Sequence, residues 1–124
     1  NKLPKKLKSV LKETIKKTKK NKKILVNLAI NYGAKKEIIN TFKKIKTKQI
    51  TENKVKSNLY TNNIPDPDIL IRTGGKKRLS NFMLWQLAYS ELFFLDKLWP
   101  DFTPKDLNKI LKNFHNIKRN FGGI

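Results

Sequence analysis

The 124-residue sequence lacks cysteine altogether and has only one histidine. Without cysteine, disulfides and thiolate metal sites are excluded, and a reducing cytoplasm is the compartment we expect. No apolar run approaches the roughly 18 residues of a membrane-spanning helix, which excludes that class of protein. The single histidine, His115, lies among Lys and Asn, and we assign it no catalytic role. A chain of this length fits one domain, residues 1–124.

Acidic residues are also scarce, so the formal net charge is +20, from 29 basic and 9 acidic residues. Such a charge is typical of nucleic-acid-binding proteins, since clustered cations contact phosphates. Two features argue against this function. Only three basic residues are Arg, and the charge is uneven: residues 1–62 hold 19 Lys against three Glu, whereas residues 63–124 have a net charge of only +4. Lys with abundant Asn and Ile is what an A/T-rich coding sequence produces. We therefore expect no nucleic-acid partner and keep a basic binding domain as the less favoured alternative.

The spacing of apolar residues predicts an alternation of helices and strands. Recurrence at three and four residues predicts helices over 3–20 and 35–46, a short helix after Thr51, and a last helix capped by Thr103. Short apolar runs predict strands at 24–30, 69–72 and Leu92–Leu95. This order is typical of an α/β fold with a parallel sheet flanked by helices.

One stretch, from the predicted strand 69–72 to Ser90, has the features of an anion site. The strand ends in Arg72, Gly74-Gly75 turns the chain, and Ser80 is predicted to cap a helix through about Ser90. Glycine allows close backbone approach, helix-start N–H groups attract anions, and ligands bind where strands of open α/β sheets end. We interpret the anion as a diphosphate.

The same residues also allow simpler interpretations. Arg72 is alternatively a solvated surface residue, Ser80 a plain N-cap, and the neighbouring Lys76 and Lys77 a solvated charge run. Glu91 is the one carboxylate in a long, mostly apolar stretch, and burial of such a group requires a metal ion or an arginine partner. The residues alone leave both partners of Glu91 open.

Five motifs in this chain resemble those of the cis-prenyltransferases, the family of undecaprenyl diphosphate synthase. The resemblance covers roughly residues 24–124 and implies the parallel sheet flanked by helices of that family. One departure is mild: the family's NYGGR turn reads Asn31-Tyr32-Gly33-Ala34-Lys35 here. The motifs are ILVNLAINYG at 24–33, DILIRTGG at 68–75, RLSNFMLWQLAYSEL at 78–92, LWPDF at 98–102 and RNFGG at 119–123.

The resemblance implies a reaction and assigns residues to it. Family members condense isopentenyl diphosphate onto an allylic diphosphate, which gives a polyprenyl diphosphate that serves as a lipid carrier in cell-wall (peptidoglycan) synthesis. Arg72, Arg78, Leu79 and Ser80 match the positions that bind the diphosphate of isopentenyl diphosphate. Glu91 matches a position that coordinates the cofactor Mg²⁺ together with an Asp elsewhere in the family sequence.

That Asp belongs to a His-Gly-Asn-Gly-Arg-Trp motif, which nothing in residues 1–64 resembles. Family members are roughly twice as long, and the first residue here is Asn rather than Met. We therefore expect the chain to be the C-terminal part of a longer cis-prenyltransferase, with no catalytic residue of its own and no activity by itself. The alternatives are a degraded or split gene, and a non-catalytic partner subunit of the same family.

The resemblance also implies partners. A homodimer is expected, with Arg119 and Gly122-Gly123 in a C-terminal arm that approaches the partner's active site; a flexible tail is the alternative. Leu25, Val26 and Leu28 either line the tunnel for the growing polyprenyl chain or form ordinary sheet core. Contact with a membrane is expected only through the lipid product.

Overall fold

The computed structural model describes residues 3–121, which form two compact units, one up to Tyr32 and one from Gly33 onwards. The helices are α1 (Lys5–Thr18), α2 (Ala34–Lys44), α3 (Glu52–Lys56) and α4 (Pro104–His115), with a 3₁₀ turn at Trp99–Asp101; the strands are β1 (Ile69–Arg72) and β2 (Glu91–Phe94).

The first unit consists of α1 and a following segment without regular secondary structure. Helix α1 lies within the predicted range 3–20, and an ion pair between Lys17 and Glu13, four residues apart, lies on its surface. The predicted strand at 24–30 is wrong, because that segment has no regular secondary structure and no strand partner. A strand exists only where a neighbour accepts and donates its backbone hydrogen bonds, and no described residue does so here.

Helix α2 begins at Ala34, one residue before the predicted start, and two further helices of the second unit begin at threonine caps. Thr51 accepts a hydrogen bond from the N–H of Lys54 (3.3 Å) and starts α3. Thr103 and Asp106 form a reciprocal capping box at the start of α4, with Pro104 at its first position. Each cap satisfies N–H groups that a helix leaves unpaired at its first turn. The predictions of α2, α3 and α4 are therefore confirmed.

Strands β1 and β2 form a parallel pair with Ile69 opposite Glu91 and Arg72 opposite Phe94. The second strand starts one residue earlier than predicted, because the N–H of Glu91 already donates to the carbonyl of Asp68 (2.9 Å). Two parallel strands with helices confirm the predicted α/β fold with a parallel sheet.

The core of the second unit is formed by residues of the helices α2, α3 and α4, of the turn that follows α3, and of residues 84–89. Its buried apolar side chains are Ala34, Val55, Leu59, Leu87 and Ile110. Leu87 of this core belongs to the connection that links β1 to β2. Within residues 3–121, every helix is too short or too polar to cross a membrane.

Candidate anion-binding site

The connection between β1 and β2 does not contain the helix predicted from Ser80 to Ser90. Residues 84–89 form turns, and Ser80, Asn81 and Met83 have φ angles of 49°, 63° and 43°. Left-handed residues cannot start a right-handed helix. The prediction of a helix N-terminus as part of the anion site is therefore wrong for this segment.

The Gly74-Gly75 turn also has a different role from the predicted one. Both residues have positive φ angles (87° and 70°), which favour glycine. Their N–H groups donate to the carbonyls of Lys97 (2.7 Å) and Leu95 (2.9 Å) and extend the contact between the strands past Arg72. These amides are already hydrogen-bonded, so side chains must supply the donors to an anion here.

The four residues predicted to bind the diphosphate lie together. Arg72, Arg78, Leu79 and Ser80 line one cavity of about 340 Å³ at the end of β1. The remaining wall residues are apolar or uncharged, and the wall contains no carboxylate. Those remaining wall residues are Leu70, Ile71, Thr73 and Phe82.

Arg72 is held in place by the segment that faces it across the cavity. Its Nη1 donates to the Oγ of Ser80 (3.0 Å) and to the carbonyl oxygen of Arg78. Both bonds use one nitrogen, which leaves Nη2 and Nε of Arg72 as donors for a ligand. Ser80 accepts through Oγ and keeps its own hydroxyl hydrogen as a further donor.

Arg78 supplies the second cation of the cavity. Its side chain is exposed, and no described residue pairs with its guanidinium group. Lys76 and Lys77, just before it, are also exposed. Two guanidinium groups beside a cavity without a carboxylate attract an anion, and arginine binds phosphate oxygens in a bidentate manner.

Glu91 lies apart from this cavity. It opens β2 opposite Ile69, three residues before the position opposite Arg72. At a rise of roughly 3.3 Å per residue this is about 10 Å along the strands. Side chains alternate between the two faces of a sheet, so those of Arg72 and Glu91 also point to opposite faces. An anion at Arg72 and a ligand at Glu91 therefore occupy separate places.

The positively charged side chain that lies close to Glu91 is that of Arg119. Its Nε lies 3.9 Å from Oε1 of Glu91. Arg119 binds more tightly elsewhere: it donates to Oδ1 of Asp68 (2.6 Å) and to the carbonyl of Tyr89 (2.9 Å). It also stacks against Phe121, 4.4 Å from the ring centre. The arginine partner expected as one alternative for Glu91 is present, as a loose contact.

The chemistry of Glu91 still fits one ligand of Mg²⁺. Its side chain is 31% exposed, and Mg²⁺ takes one or two carboxylates with water and phosphate oxygens. Residues 3–121 contain no group of three His, Cys, Asp or Glu that could hold a metal ion by themselves. Glu91 would therefore be one ligand among several, most of them supplied from outside these residues.

The sequence did not predict the two residues that bind the segment after Ser80 to helix α2. Asn81 accepts hydrogen bonds from the first turn of α2, and Gln86 is buried against Glu37 of the same helix. The one local signal is Asn81 itself, because Asn adopts left-handed conformations more readily than most residues. Its partner 46 residues earlier has no signature in the local sequence.

Fold and cavity together define an α/β protein with a cationic site where a parallel strand ends. The family described as "Putative undecaprenyl diphosphate synthase" matches residues 1–122, and the chain belongs to this family. The isoprenyl transferases of Fusobacterium nucleatum and Oceanobacillus iheyensis are 43% and 44% identical over 100% of the chain. The chain covers 55% and 53% of them, so it spans about half the length of these curated relatives.

Solved structures show the same fold. A probable undecaprenyl diphosphate synthase from Campylobacter jejuni has a TM-score of 0.86 at 38% identity, with 98% of this chain and 58% of that chain covered. Lavandulyl diphosphate synthase from Lavandula x intermedia, solved with dimethylallyl diphosphate, has a TM-score of 0.91 at 34% identity, with 98% and 56% covered. The chain therefore has the architecture of the C-terminal half of the cis-prenyltransferase fold.

Proposed function

We propose that this chain supplies the isopentenyl diphosphate site of a cis-prenyltransferase. The observation that supports this most is the cavity at the end of β1, where Arg72, Arg78 and Ser80 converge without a carboxylate in the wall. Nη2 and Nε of Arg72, the guanidinium group of Arg78 and the Ser80 hydroxyl would donate to the diphosphate oxygens. Leu79, between Arg78 and Ser80 in the sequence, also lines the cavity.

In the whole protein, the reaction would join isopentenyl diphosphate to an allylic diphosphate and give a polyprenyl diphosphate. The role of this chain's residues is to hold and orient the homoallylic substrate, because positioning contributes a large part of the rate in such condensations. Mg²⁺, bound in part by Glu91, would neutralise the charge of the departing diphosphate. A homodimer and a cell-wall lipid carrier as the product belong to the same proposal.

The direct test is binding of inorganic pyrophosphate to the 124-residue chain, measured by calorimetry. Replacement Arg72→Ala removes charge-assisted hydrogen bonds worth about 1.5–3 kcal/mol, so Kd should rise roughly 10- to 150-fold. Arg72→Lys should recover only part of the affinity, because a point charge lacks the planar fork of arginine.

Lys77→Ala is the matched control, since it removes one exposed cation close to the cavity but outside its wall. It should change Kd far less than Arg72→Ala, and its effect should fade as salt is added. Equal losses for the two variants would mean that the chain attracts anions by diffuse charge, as a basic nucleic-acid binder does, and would overturn the assignment.

The proposed role of Glu91 needs a separate measurement. Glu91→Gln keeps the size of the side chain and removes its charge, so in the full-length protein the Mg²⁺ concentration needed for half-maximal activity should rise. If Glu91 acts only as the partner of Arg119, Glu91→Gln should instead lower the melting temperature and leave the Mg²⁺ dependence as it was.

We also propose that these 124 residues alone do not transfer prenyl groups. No part of them resembles the family's His-Gly-Asn-Gly-Arg-Trp motif, which carries the catalytic Asp. Incubation with radiolabelled isopentenyl diphosphate and an allylic primer should give no extractable polyprenyl product. Product formed by the purified chain would show that catalysis does not require that motif.

A further inference from the structure

The first turn of α2 is capped by a residue from a distant part of the chain. The N–H of Ala34 donates to the backbone carbonyl of Asn81 (2.9 Å), and the N–H of Lys35 donates to Oδ1 of the same residue (2.8 Å). Gly33, at the N-cap position itself, has no side chain to do this. Asn81 therefore does for α2 what an N-cap residue normally does locally.

The Asn81 side chain lies in the space that a Cβ atom at position 33 would occupy. A Cβ atom built on Gly33 would lie 2.9 Å from Nδ2 of Asn81, which is too close for a normal contact. The φ angle of Gly33 is −156°, an extended conformation that any residue adopts. A side chain at position 33 would therefore push the Asn81 amide group aside, whereas the backbone conformation there tolerates any residue.

A second contact joins the same two elements one turn further along α2. Nε2 of the buried Gln86 donates to Oε2 of the buried Glu37 (3.2 Å) and to Oγ1 of Thr61 (3.0 Å). Oε1 of Glu37 accepts the N–H of Tyr60 (2.7 Å). Buried polar groups remain inside a fold when hydrogen bonds compensate them, so this contact fixes Gln86 relative to α2.

Ser80 and Phe82, the neighbours of Asn81 in the sequence, line the cavity. Ser80, directly before Asn81, holds the left-handed conformation that brings its Oγ to Arg72. Conformations of this kind persist where the surroundings determine them. We propose that Asn81, seated on Gly33, is a positioning residue of the anion site: it acts through Ser80 and Arg72 and touches no ligand itself.

This inference rests on the proposed function and is tested by pyrophosphate binding to the same chain. Asn81→Gly keeps the left-handed conformation and removes the side-chain cap. Gly33→Ala leaves every cavity residue unchanged and displaces Asn81. Each should weaken binding about five- to tenfold, the affinity equivalent of one lost helix cap.

Two controls separate positioning from general stability. Thr103→Ala removes a comparable cap from α4, no residue of which lines the cavity, and should lower the melting temperature without changing Kd. The double variant Gly33→Ala with Asn81→Gly has no Asn81 side chain left to displace. It should bind no worse than Asn81→Gly alone, because both changes act on one contact.

Hydrogen exchange gives a readout that does not depend on the ligand. The amides of residues 78–83 should exchange faster in Gly33→Ala than in the wild type, and Thr103→Ala should leave them unchanged. If the wild type binds pyrophosphate and both single variants bind it equally well, Asn81 is a helix cap only and the inference is overturned. If the wild type does not bind pyrophosphate, the proposed function fails first and this role of Asn81 fails with it.

Discussion

Two apolar segments of this chain have nearly the same sequence character and different structures. Residues 24–30 read ILVNLAI and residues 69–72 read ILIR, and both were expected to be strands. The second is β1, paired in parallel with β2 and half-buried along its length. The first has no regular secondary structure and no strand partner, and Leu25 within it is 73% exposed.

The difference lies in the partner and not in the segments themselves. A parallel partner requires a crossover of a dozen or more residues, and β1 has one, residues 73–90, which brings Glu91–Phe94 alongside. No described residue lies alongside 24–30 in that way. Apolar and β-branched residues indicate that a segment can form a strand; the hydrogen-bonding neighbour comes from elsewhere in the chain or from another chain.

The largest expected effect is a difference in the free energy of unfolding between a variant in the core of the second unit and one in the 24–30 segment. Leu59 is 3% exposed, so Leu59→Ala should lower the free energy of unfolding by about 2–5 kcal/mol. Leu25→Ala removes the same atoms from an exposed position and should change it by less than about 0.5 kcal/mol. Urea unfolding followed by circular dichroism measures both. Similar losses would mean that the 24–30 segment is packed in solution.

What the sequence predicted correctly was encoded locally. The Thr51 and Thr103 caps, Pro104 and the periodicity of α2 and α4 each lie within a few residues of what they determine. The cavity residues from Arg72 to Ser80 are also close in sequence, so their convergence followed from one strand end and one turn. These parts needed no knowledge of distant contacts.

The failures have non-local causes. The segment after Ser80 has an apolar pattern suited to a helix, yet Asn81 is engaged by α2 from 46 residues away and takes a left-handed conformation that a helix excludes. The strand predicted at 24–30 does not form, because no described segment pairs with it through backbone hydrogen bonds. In both cases the local preference was read correctly, and tertiary contacts decided the structure.

A smaller effect concerns helix caps in the two units. Thr103 caps α4 with its side chain, whereas Pro4, before α1, offers no side-chain cap. Thr103→Ala should therefore cost about 1 kcal/mol, and Pro4→Ala should cost clearly less. Thermal unfolding of the two variants under identical conditions compares them. A larger loss for Pro4→Ala would show that α1 contributes more to stability than its exposed surface suggests.

One pH-dependent effect is expected in the second unit, at Asp106. Hydrogen bonds from Lys97 and Thr103 lower the pKa of Asp106 below its ordinary value of 3.8. Because the folded pKa is depressed, this contribution is present above about pH 4 and is lost as the pH falls below it.

The variant Asp106→Asn isolates this contribution from the other carboxylates. The difference in free energy of unfolding between wild type and Asp106→Asn should shrink as the pH falls from about 6 to about 3. Denaturant unfolding at several pH values measures it. A difference that stays constant over this range would show that the hydrogen bonds to Asp106 do not favour its charged form.

The smallest effect on stability is expected in the 24–30 segment itself. Val26→Lys places a charge in the middle of an exposed apolar run and should leave the free energy of unfolding within about 0.5 kcal/mol of the wild-type value. The same change should reduce the fluorescence of a dye that binds exposed apolar surface, because the continuous patch is interrupted. Asn27→Lys, in the same run, adds an equal charge without removing apolar surface and should reduce the dye signal less. If Val26→Lys lowers the melting temperature by several degrees while Asn27→Lys does not, Val26 is packed in solution, and the contrast between the two segments is smaller than the structure indicates.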